Sequence, residues 1–245
     1  MVALIRKRSD GMSGTLHMVA SPIGNLGDIT LRALEVLRAA DVIYAEDTRV
    51  SSKLLARYEI SKPLRSFREA APRYQVERIL GQICRELEAG MELAYLSDAG
   101  TPAVSDPGTY LVQWVTAAGY SVSPVPGPSA LAAIMSVSGL SVTMPIFIGF
   151  LPRKKGHQST LIKIHSALVQ EYADAAIFYE SPERIVSLLG ELTSWNLPLS
   201  VCLGRELTKK FEEILRGSLA EVATALQNRP VIKGEIVILI SPRHE

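Results

Sequence analysis

Three short loops hold the residue types best suited to gripping a small molecule. They are Ser21-Pro22-Ile23-Gly24-Asn25-Leu26-Gly27-Asp28, Ser97-Asp98-Ala99-Gly100-Thr101-Pro102 and Pro126-Gly127-Pro128-Ser129-Ala130. Glycine lets a backbone approach a ligand and offers amide donors, and in open α/β sheets such loops gather at the carboxyl ends of strands. One such loop would be read as a tight turn; three, each after a strand-like run, point to a shared ligand cleft. None carries GxGxxG or GxxxxGK[ST], so the dinucleotide and P-loop phosphate cradles are absent. No GxSxG elbow supplies a serine nucleophile either. Candidates for proton transfer and charge stabilisation lie in Glu46-Asp47-Thr48-Arg49, in Tyr179-Glu180-Ser181-Pro182 and in Arg205-Glu206-Leu207-Thr208-Lys209. For the acids the competing use is a helix cap or an ion pair, most strongly at Glu180, where Ser181 and Pro182 look like a helix start.

Metal chemistry finds no ligand set. His17, His157, His165 and His244 have no ligand-like spacing, and Cys84 and Cys202 stand far apart. They read as isolated thiols in a reducing compartment.

The elements that must position these residues alternate between β-rich runs and helical periodicity, the pattern of an α/β protein. The first half reads as strand 16–20, helix 30–40, strand 42–45, helix 51–58, a polar loop, helix 74–89, strand 92–96, helix 108–118 and strand 121–125. Gly90 is a left-handed helix stop, and Asp106-Pro107 suggest an N-cap and first-turn proline. The punctuation Pro124-Val125-Pro126-Gly127-Pro128 marks a boundary between two halves, 15–125 and 126–245. The second half reads as strand 146–150, a helix within 159–169, strand 175–179, helix 182–192, strand 199–203 and an antiparallel strand 211–216. A capping box at Ser218-Leu219-Ala220-Glu221 starts a helix to about Leu226, and 234–240 closes as a buried strand.

Composition sets the frame. At 245 residues with 47% hydrophobic residues, the chain buries a core without staples. The first 14 residues are charged but lack a following apolar stretch, so they read as a disordered terminus rather than a signal peptide. No stretch is long enough for a membrane span, and a cytoplasmic protein is expected. The formal net charge of +1 excludes a global basic field, so a nucleic-acid site would have to be local. Between Arg49 and Arg85 there are nine Lys/Arg against three acids, a local excess of +6, with Phe67 and Tyr74 among them. A second basic loop, Arg153-Lys154-Lys155, has no acidic neighbour before Glu171.

Six strings in order, ASPIGNLGDITLRALEVLRAADVIYAEDTR, YLSDAGTPAVSDPG, VPGPSALAAI, FIGFLPRKKG, FYESPERI and LGRELTKKFEEILRG, carry a family resemblance. The chain resembles the 16S rRNA cytidine 2′-O-ribose methyltransferases of the tetrapyrrole-methylase-like (class III) S-adenosylmethionine-dependent family. The likeness runs from about Thr15 to Ile240. AEDTR and GRELTKKFE single out the RNA enzymes within the fold. The resemblance implies two α/β domains with S-adenosyl-L-methionine in the cleft between them, a homodimer, and a target cytidine in the decoding centre of the small ribosomal subunit. It places Pro22, Ile23 and Gly24 on one side of the cofactor, Asp98, Ala99 and Gly100 at its methionine and ribose, and Gly127, Pro128 and Ser129 at another edge. It further implies contacts from Tyr179, Glu180, Cys202 and Leu203. The lysine-rich C-terminal extension of many relatives is missing after Ser241-Pro242-Arg243-His244-Glu245, and with it any RNA contact that extension would make.

A ribose hydroxyl is a poor nucleophile, so a base, or a cation facing the developing alkoxide, should assist in-line transfer. On this reading Glu46, Asp47 and Arg49 act near the ribose, and Arg205 and Lys209 meet phosphate or alkoxide. Arg65, Arg68 and Arg73, together with Arg153, Lys154 and Lys155, contact RNA phosphates, with nearby aromatics for base stacking. Three alternatives stay open: a same-fold methyltransferase acting on a tetrapyrrole carbon, a protein-modifying relative of the diphthamide pathway, and a non-catalytic ribosome-assembly factor. The last would bind no methyl donor.

Overall fold

The structure, a computed structural model, describes residues 13–154 and 156–242. Most of the terminus expected to lack order, and Lys155, therefore lie outside the described residues. Gly14, at the inner end of that terminus, is fixed: its N–H donates to Leu87 O (2.8 Å), and a Cβ there would overlap the Met91 backbone. The chain divides into two compact units, one ending at Ser129 and the other beginning at Ala130.

The first unit runs β1 (Thr15–Val19), α1 (Leu31–Ala39), β2 (Val42–Ala45), α2 (Thr48–Arg57), β3 (Leu64–Ser66), α3 (Arg73–Glu88), β4 (Leu93–Leu96), α4 (Thr109–Ala117) and β5 (Ser121–Val125). Its sheet is all parallel in the order β3-β2-β4-β1-β5. Strands covered on both faces read as continuous apolar runs rather than alternating ones, and all four residues of β2 and of β4 are buried. The pleat deals alternate side chains to opposite faces. Ala94 and Leu96 meet Leu34, Leu37 and Leu54 from α1 and α2. Leu93 and Tyr95 meet Leu80, Ile83, Leu111 and Val115 from α3 and α4.

The connection from β1 crosses β4 to reach β2, while that from β4 crosses β1 to reach β5. Right-handed crossovers running in opposite directions must lie on opposite faces, so the chain parts at the carboxyl ends of β1 and β4 and leaves a crevice there.

Four local expectations need correction. The polar loop after α2 contains β3, a three-residue edge strand paired to β2. Phe67, read as an exposed stacking aromatic, is wholly buried against Tyr95, ring centroids 5.9 Å apart. Helix α2 starts at Thr48 rather than Ser51, because Asp47 caps it by accepting the Arg49 N–H (2.9 Å). Asp106-Pro107 do not cap α4: the cap position is Gly108 at φ 131, without a side-chain cap of its own. The donors there go instead to Glu69, whose Oε1 accepts from the N–H groups of Gly108, Tyr110 and Leu111 at 2.9, 3.0 and 3.2 Å.

The second unit runs α5 (Ala130–Ser138), β6 (Pro145–Phe150), α6 (His157–Val169), β7 (Ala175–Glu180), α7 (Pro182–Thr193), β8 (Leu199–Arg205), β9 (Glu213–Ser218), α8 (Leu219–Gln227) and β10 (Ile236–Pro242). The sheet order is β6-β7-β10-β8-β9; only β6 and β7 pair in parallel. Helices α6, α7 and α8 pack on one face over Phe178, Val201, Leu203 and Ile238. Helix α5, which periodicity did not reveal because its sequence is apolar on almost every side, packs on β8 and β10. There a Cβ on Gly204 would lie 3.0 Å from Ile134 Cδ1. The capping box of α8 forms as expected: Glu221 N–H donates to Ser218 Oγ (3.2 Å) and the Glu221 carboxylate accepts from Ser218 N–H (2.7 Å).

Glu69 generates a stability prediction. Glu69→Ala should cost about 1–2 kcal/mol, the worth of a strong helix cap, while Glu69→Gln, which keeps an acceptor oxygen, should retain most of it. Urea unfolding of the three proteins measures this, and an alanine variant as stable as the parent would mean that water serves α4 equally well.

Candidate active site

All three glycine-rich loops meet at the carboxyl ends of β1, β4 and β5. Ser21 and Gly100 exchange two backbone hydrogen bonds, Ser21 N–H to Gly100 O (2.8 Å) and Gly100 N–H to Ser21 O (3.1 Å). Ser21 Oγ donates to Ser97 O (3.3 Å), and Thr101 Oγ1 to Pro128 O (3.2 Å). Ala20 N–H donates to Val125 O at the root of the third loop (3.0 Å). Two glycines are required by proximity. Gly100 sits at φ 77 with room for a Cβ only 3.3 Å from Ile23 Cγ2, and a Cβ on Gly127 would come within 3.0 Å of Ala20 Cβ. Ala103 and Ser105, in the same stretch, hold left-handed φ values of 67 and 59. Non-glycine residues adopt these only where surroundings impose them, and they concentrate at ligand sites. Buried beneath, Tyr95 Oη and Ser97 Oγ have no hydrogen-bond partner among the described residues.

The AEDTR string ends β2 beside these loops. Asp47 N–H donates to Asp98 Oδ1 (3.1 Å), and Arg68 Nε donates to Glu46 O (3.2 Å). The two neighbouring acids have opposite fates. Asp47 is gripped by Arg49 (2.6 Å) and by the helix start, which hold its carboxyl far below the ordinary aspartate range. Glu46, half-buried, is pushed above the ordinary glutamate range, first by burial and then by the charge of Asp98. Burial also raises Tyr95, with Glu46 the strongest of several carboxylates that disfavour its phenolate.

The second-unit candidates lie apart from one another in role. Glu180 is fully buried at the end of β7, bonded to Arg184 (2.6 Å) and to Ser181 N–H (2.6 Å), with its other oxygen unpartnered among the described residues. Tyr179 contacts Phe147 and Phe150 edge-on. Cys202 is buried in the interior strand β8, where burial raises its thiol. Leu203 points the other way, into the α6–α8 core. Arg205 donates to Glu213 (3.0 Å) and to the carbonyls of Lys233 and Phe211. Glu213 also takes Arg229 in a two-point pair, and Lys209 bridges Glu206 (2.8 Å) and Glu235 (3.1 Å). Arg205 and Lys209 of GRELTKK are thus matched by carboxylates, while Lys210 lies over the Phe211 ring, around a turn that holds Glu206 and Thr208 at φ 52 and 64.

The expected basic stretch is less basic in space than in sequence, because acids just outside it fold back. Asp47 takes Arg49, and Glu86 takes both Arg65 and the Tyr44 hydroxyl, whose pKa rises to about 12 through burial. Arg73 pairs with Glu77 one helical turn on. Arg68 remains largely exposed, 4.0 Å from Asp47, and Arg153 and Lys154 are exposed in the loop after β6.

The family "Tetrapyrrole (Corrin/Porphyrin) Methylases" matches residues 15–223. The chain is 42% identical over 98% of its length to "Ribosomal RNA small subunit methyltransferase I" of Neisseria meningitidis, covering 81% of that protein. It is 41% identical over 93% of its length to the protein of the same name from Thermotoga maritima, covering 98% of it. The chain belongs to the ribosomal RNA small subunit methyltransferase I family. Solved structures share the fold at low identity. A Thermus thermophilus uroporphyrin-III-C-methyltransferase superposes with TM-score 0.60 at 18% identity over 94% of this chain and 92% of its own. A putative diphthine synthase from Entamoeba histolytica gives TM-score 0.66 at 14% identity over 95% of this chain and 94% of its own.

The methyl donor of the family is S-adenosyl-L-methionine. The first-unit loops fit such a group. It carries hydroxyls, an amine and a carboxylate but no phosphate, so it wants backbone amides, carbonyls and small hydroxyls, which the strained loops and the unpartnered Ser97 Oγ present. Among the described residues no group of three His, Cys, Asp or Glu could hold a metal ion, and no helix is long and apolar enough to cross a membrane. Sequence reasoning named Ser97 only as the start of its loop and missed Glu69 and Tyr95; the run of a buried strand into SDAGTP was the one hint of Tyr95.

The Glu213 network yields a pH prediction. Its carboxyl lies at about 2, held down first by Arg229 and then by Arg205. A depressed acid stabilises the fold fully above its ordinary pKa, 4.5, and that contribution is lost as pH falls toward 2. Glu213→Gln should therefore destabilise at pH 7 by about 2 kcal/mol, as for a charge-assisted pair. The gap from the parent should close on acidification across that window in denaturant titrations; a pH-independent gap would contradict the assignment.

Proposed function

We propose that the chain transfers a methyl group from S-adenosyl-L-methionine to the 2′-hydroxyl of a cytidine ribose in 16S rRNA, acting on the small ribosomal subunit. A cytoplasmic homodimer belongs to the same reading. The observation that carries it is Glu46: a half-buried carboxylate of raised proton affinity, beside the donor loops and flanked by the exposed Arg49 and Arg68. The names of the relatives supply the substrate class.

Bound S-adenosylmethionine supplies a methyl carbon already activated by positive sulfur. The chain's part is alignment and the proton. Pro22, Ile23, Gly24, Asp98, Ala99, Gly100, Gly127, Pro128 and Ser129 offer a rigid backbone surface, braced by the Ser21–Gly100 bonds. Positioning of this kind supplies up to roughly 7–11 kcal/mol of a barrier. Glu46 accepts the ribose hydroxyl proton; its raised pKa makes it the better base of the two neighbouring acids. Asp47 organises rather than reacts, since protonating it would cost both the Arg49 pair and the helix cap. Arg49, Arg68 and Arg73 contact RNA phosphates from the first unit, and Arg153 and Lys154 do so from the second. Arg65, Arg205 and Lys209 contribute through the carboxylates that already hold them.

The decisive experiment incubates the protein and labelled S-adenosylmethionine with small subunits from a strain lacking its gene, then maps the product nucleoside by mass spectrometry. A 2′-O-methylcytidine is expected. Label on a base or on protein, or donor binding without transfer to RNA, would refute the reading. Glu46→Gln should lower kcat by roughly 10²–10⁴ while donor affinity stays unchanged, and Asp47→Asn should cost less than about tenfold. In the parent, kcat/KM should fall on acidification with a midpoint above 4.5, the ordinary glutamate value, because the base must be unprotonated.

A further inference from the structure

The basic loop between β6 and α6 is held unusually firmly for an exposed loop. Arg184, in the first turn of α7, donates from Nη2 to Leu151 O (3.0 Å) and from Nη1 to Pro152 O (3.1 Å). The same Pro152 carbonyl meets His157 Nδ1 (3.1 Å), whose Nε2 faces Glu191 Oε2 on α7 at 3.0 Å. His157 N–H closes the turn on Lys154 O (3.1 Å). Behind this, the buried Glu180 carboxylate pairs with Arg184 (2.6 Å), so the guanidinium is neutralised on its inner side and its fork is fixed outward. Two side chains from different helices thus converge on one carbonyl immediately before Arg153 and Lys154, which stay exposed.

We infer that Arg184 and His157 form a clasp that presets the Arg153–Lys154 loop for an RNA phosphate backbone. They act as positioning residues, so that the clasp governs affinity for the rRNA substrate and leaves methyl-donor binding untouched. Loops bearing lysine and arginine normally pay ordering entropy on binding, and a preset loop avoids it. Pro152 restricts the backbone at the clasped carbonyl, and Gly156 at φ 92 turns the chain into α6. This explains why FYESPERI and FIGFLPRKKG, separate in sequence, serve one purpose: the first string supplies the Glu180–Arg184 pair that holds the second. The inference rests on the proposed RNA contact of Arg153 and Lys154.

Three variants test it in the full chain. Arg184→Lys keeps a positive charge opposite Glu180 but cannot span two carbonyls and a carboxylate at once. His157→Ala removes the second donor, and Arg153→Ala with Lys154→Ala removes the presented charges. Each clasp variant should raise KM for small subunits roughly fivefold, the equivalent of one lost hydrogen bond, with kcat and the calorimetric Kd for S-adenosylmethionine within about twofold. Trypsin should also cut native protein faster after Arg153 and Lys154, a readout independent of RNA. If the Arg153/Lys154 variant leaves KM unchanged, the RNA reading of the loop fails, and the trypsin rates still judge the clasp. If that variant raises KM and the clasp variants do not, or if they weaken donor binding instead, the clasp is refuted. Should Arg184→Lys fail to fold, His157→Ala carries the same test, because it leaves the Glu180–Arg184 pair intact.

Discussion

Two backbone hydrogen bonds between Ser21 and Gly100 tie together the ends of β1 and β4, the adjacent strands from which the chain departs in opposite directions. The geometry of the first unit's site follows from that tie. Opposed right-handed crossovers oblige α1 and α4 to lie on opposite faces, which opens the crevice; the tie keeps its floor from spreading. Because it uses main-chain atoms, it fixes the loops without consuming side chains, and it demands glycine at 100, where φ is 77 and Ile23 stands 3.3 Å from the place of a Cβ. The left-handed Ala103 and Ser105 are then tolerated, since the chain must travel from this tie to Gly108 in few residues.

Acidic side chains do much of the organising. Asp47 caps α2 and holds Arg49; Glu69 caps α4 from outside that helix; Glu86 joins Tyr44 to Arg65; Glu213 joins Arg205 to Arg229. Each is an acid whose side chain is committed to a structural contact. Glu46 is different. Its backbone is used, by Leu96 and Arg68, while its carboxylate faces burial and a second negative charge. A group whose ionised form is disfavoured by its surroundings gives up little when it takes a proton, which is the property a general base needs.

The parts of this arrangement legible in the sequence are those set by local rules. Apolar β-rich runs marked the strands, the capping box at Ser218 announced α8, and Gly90 ended α3 in the left-handed conformation at φ 84. Pro/Gly clustering located the three loops. What stayed hidden depends on residues far apart in the chain. Nothing near α4 indicates that its cap is Glu69, and Phe67 looks exposed among arginines because its burial under Tyr95 is a tertiary fact. A stretch counted as +6 lost part of that excess because Asp47 and Glu86 lie just beyond its limits. Helix α5 was missed for the opposite reason, too little contrast: an apolar helix buried against a sheet shows no polar face.

That charge pairing bears on how an RNA would be held. With a net charge of +1 and with Arg49, Arg65, Arg73, Arg205 and Lys209 each beside a carboxylate, five of the cations that the sequence offered for RNA bring little net charge to a phosphate. Each phosphate contact steepens the salt dependence of binding by a slope of roughly 0.7–0.9. A protein whose net charge is close to zero therefore gains little from long-range attraction to arbitrary RNA. Affinity on such a surface has to come from fit, with a handful of cations fixed where a folded substrate presents its phosphates. Rigid placement then matters more than number, because a mobile lysine forfeits in ordering entropy much of what its charge gains. The proposed clasp on Pro152 is the kind of device such a protein would need, because it exchanges side-chain freedom for position.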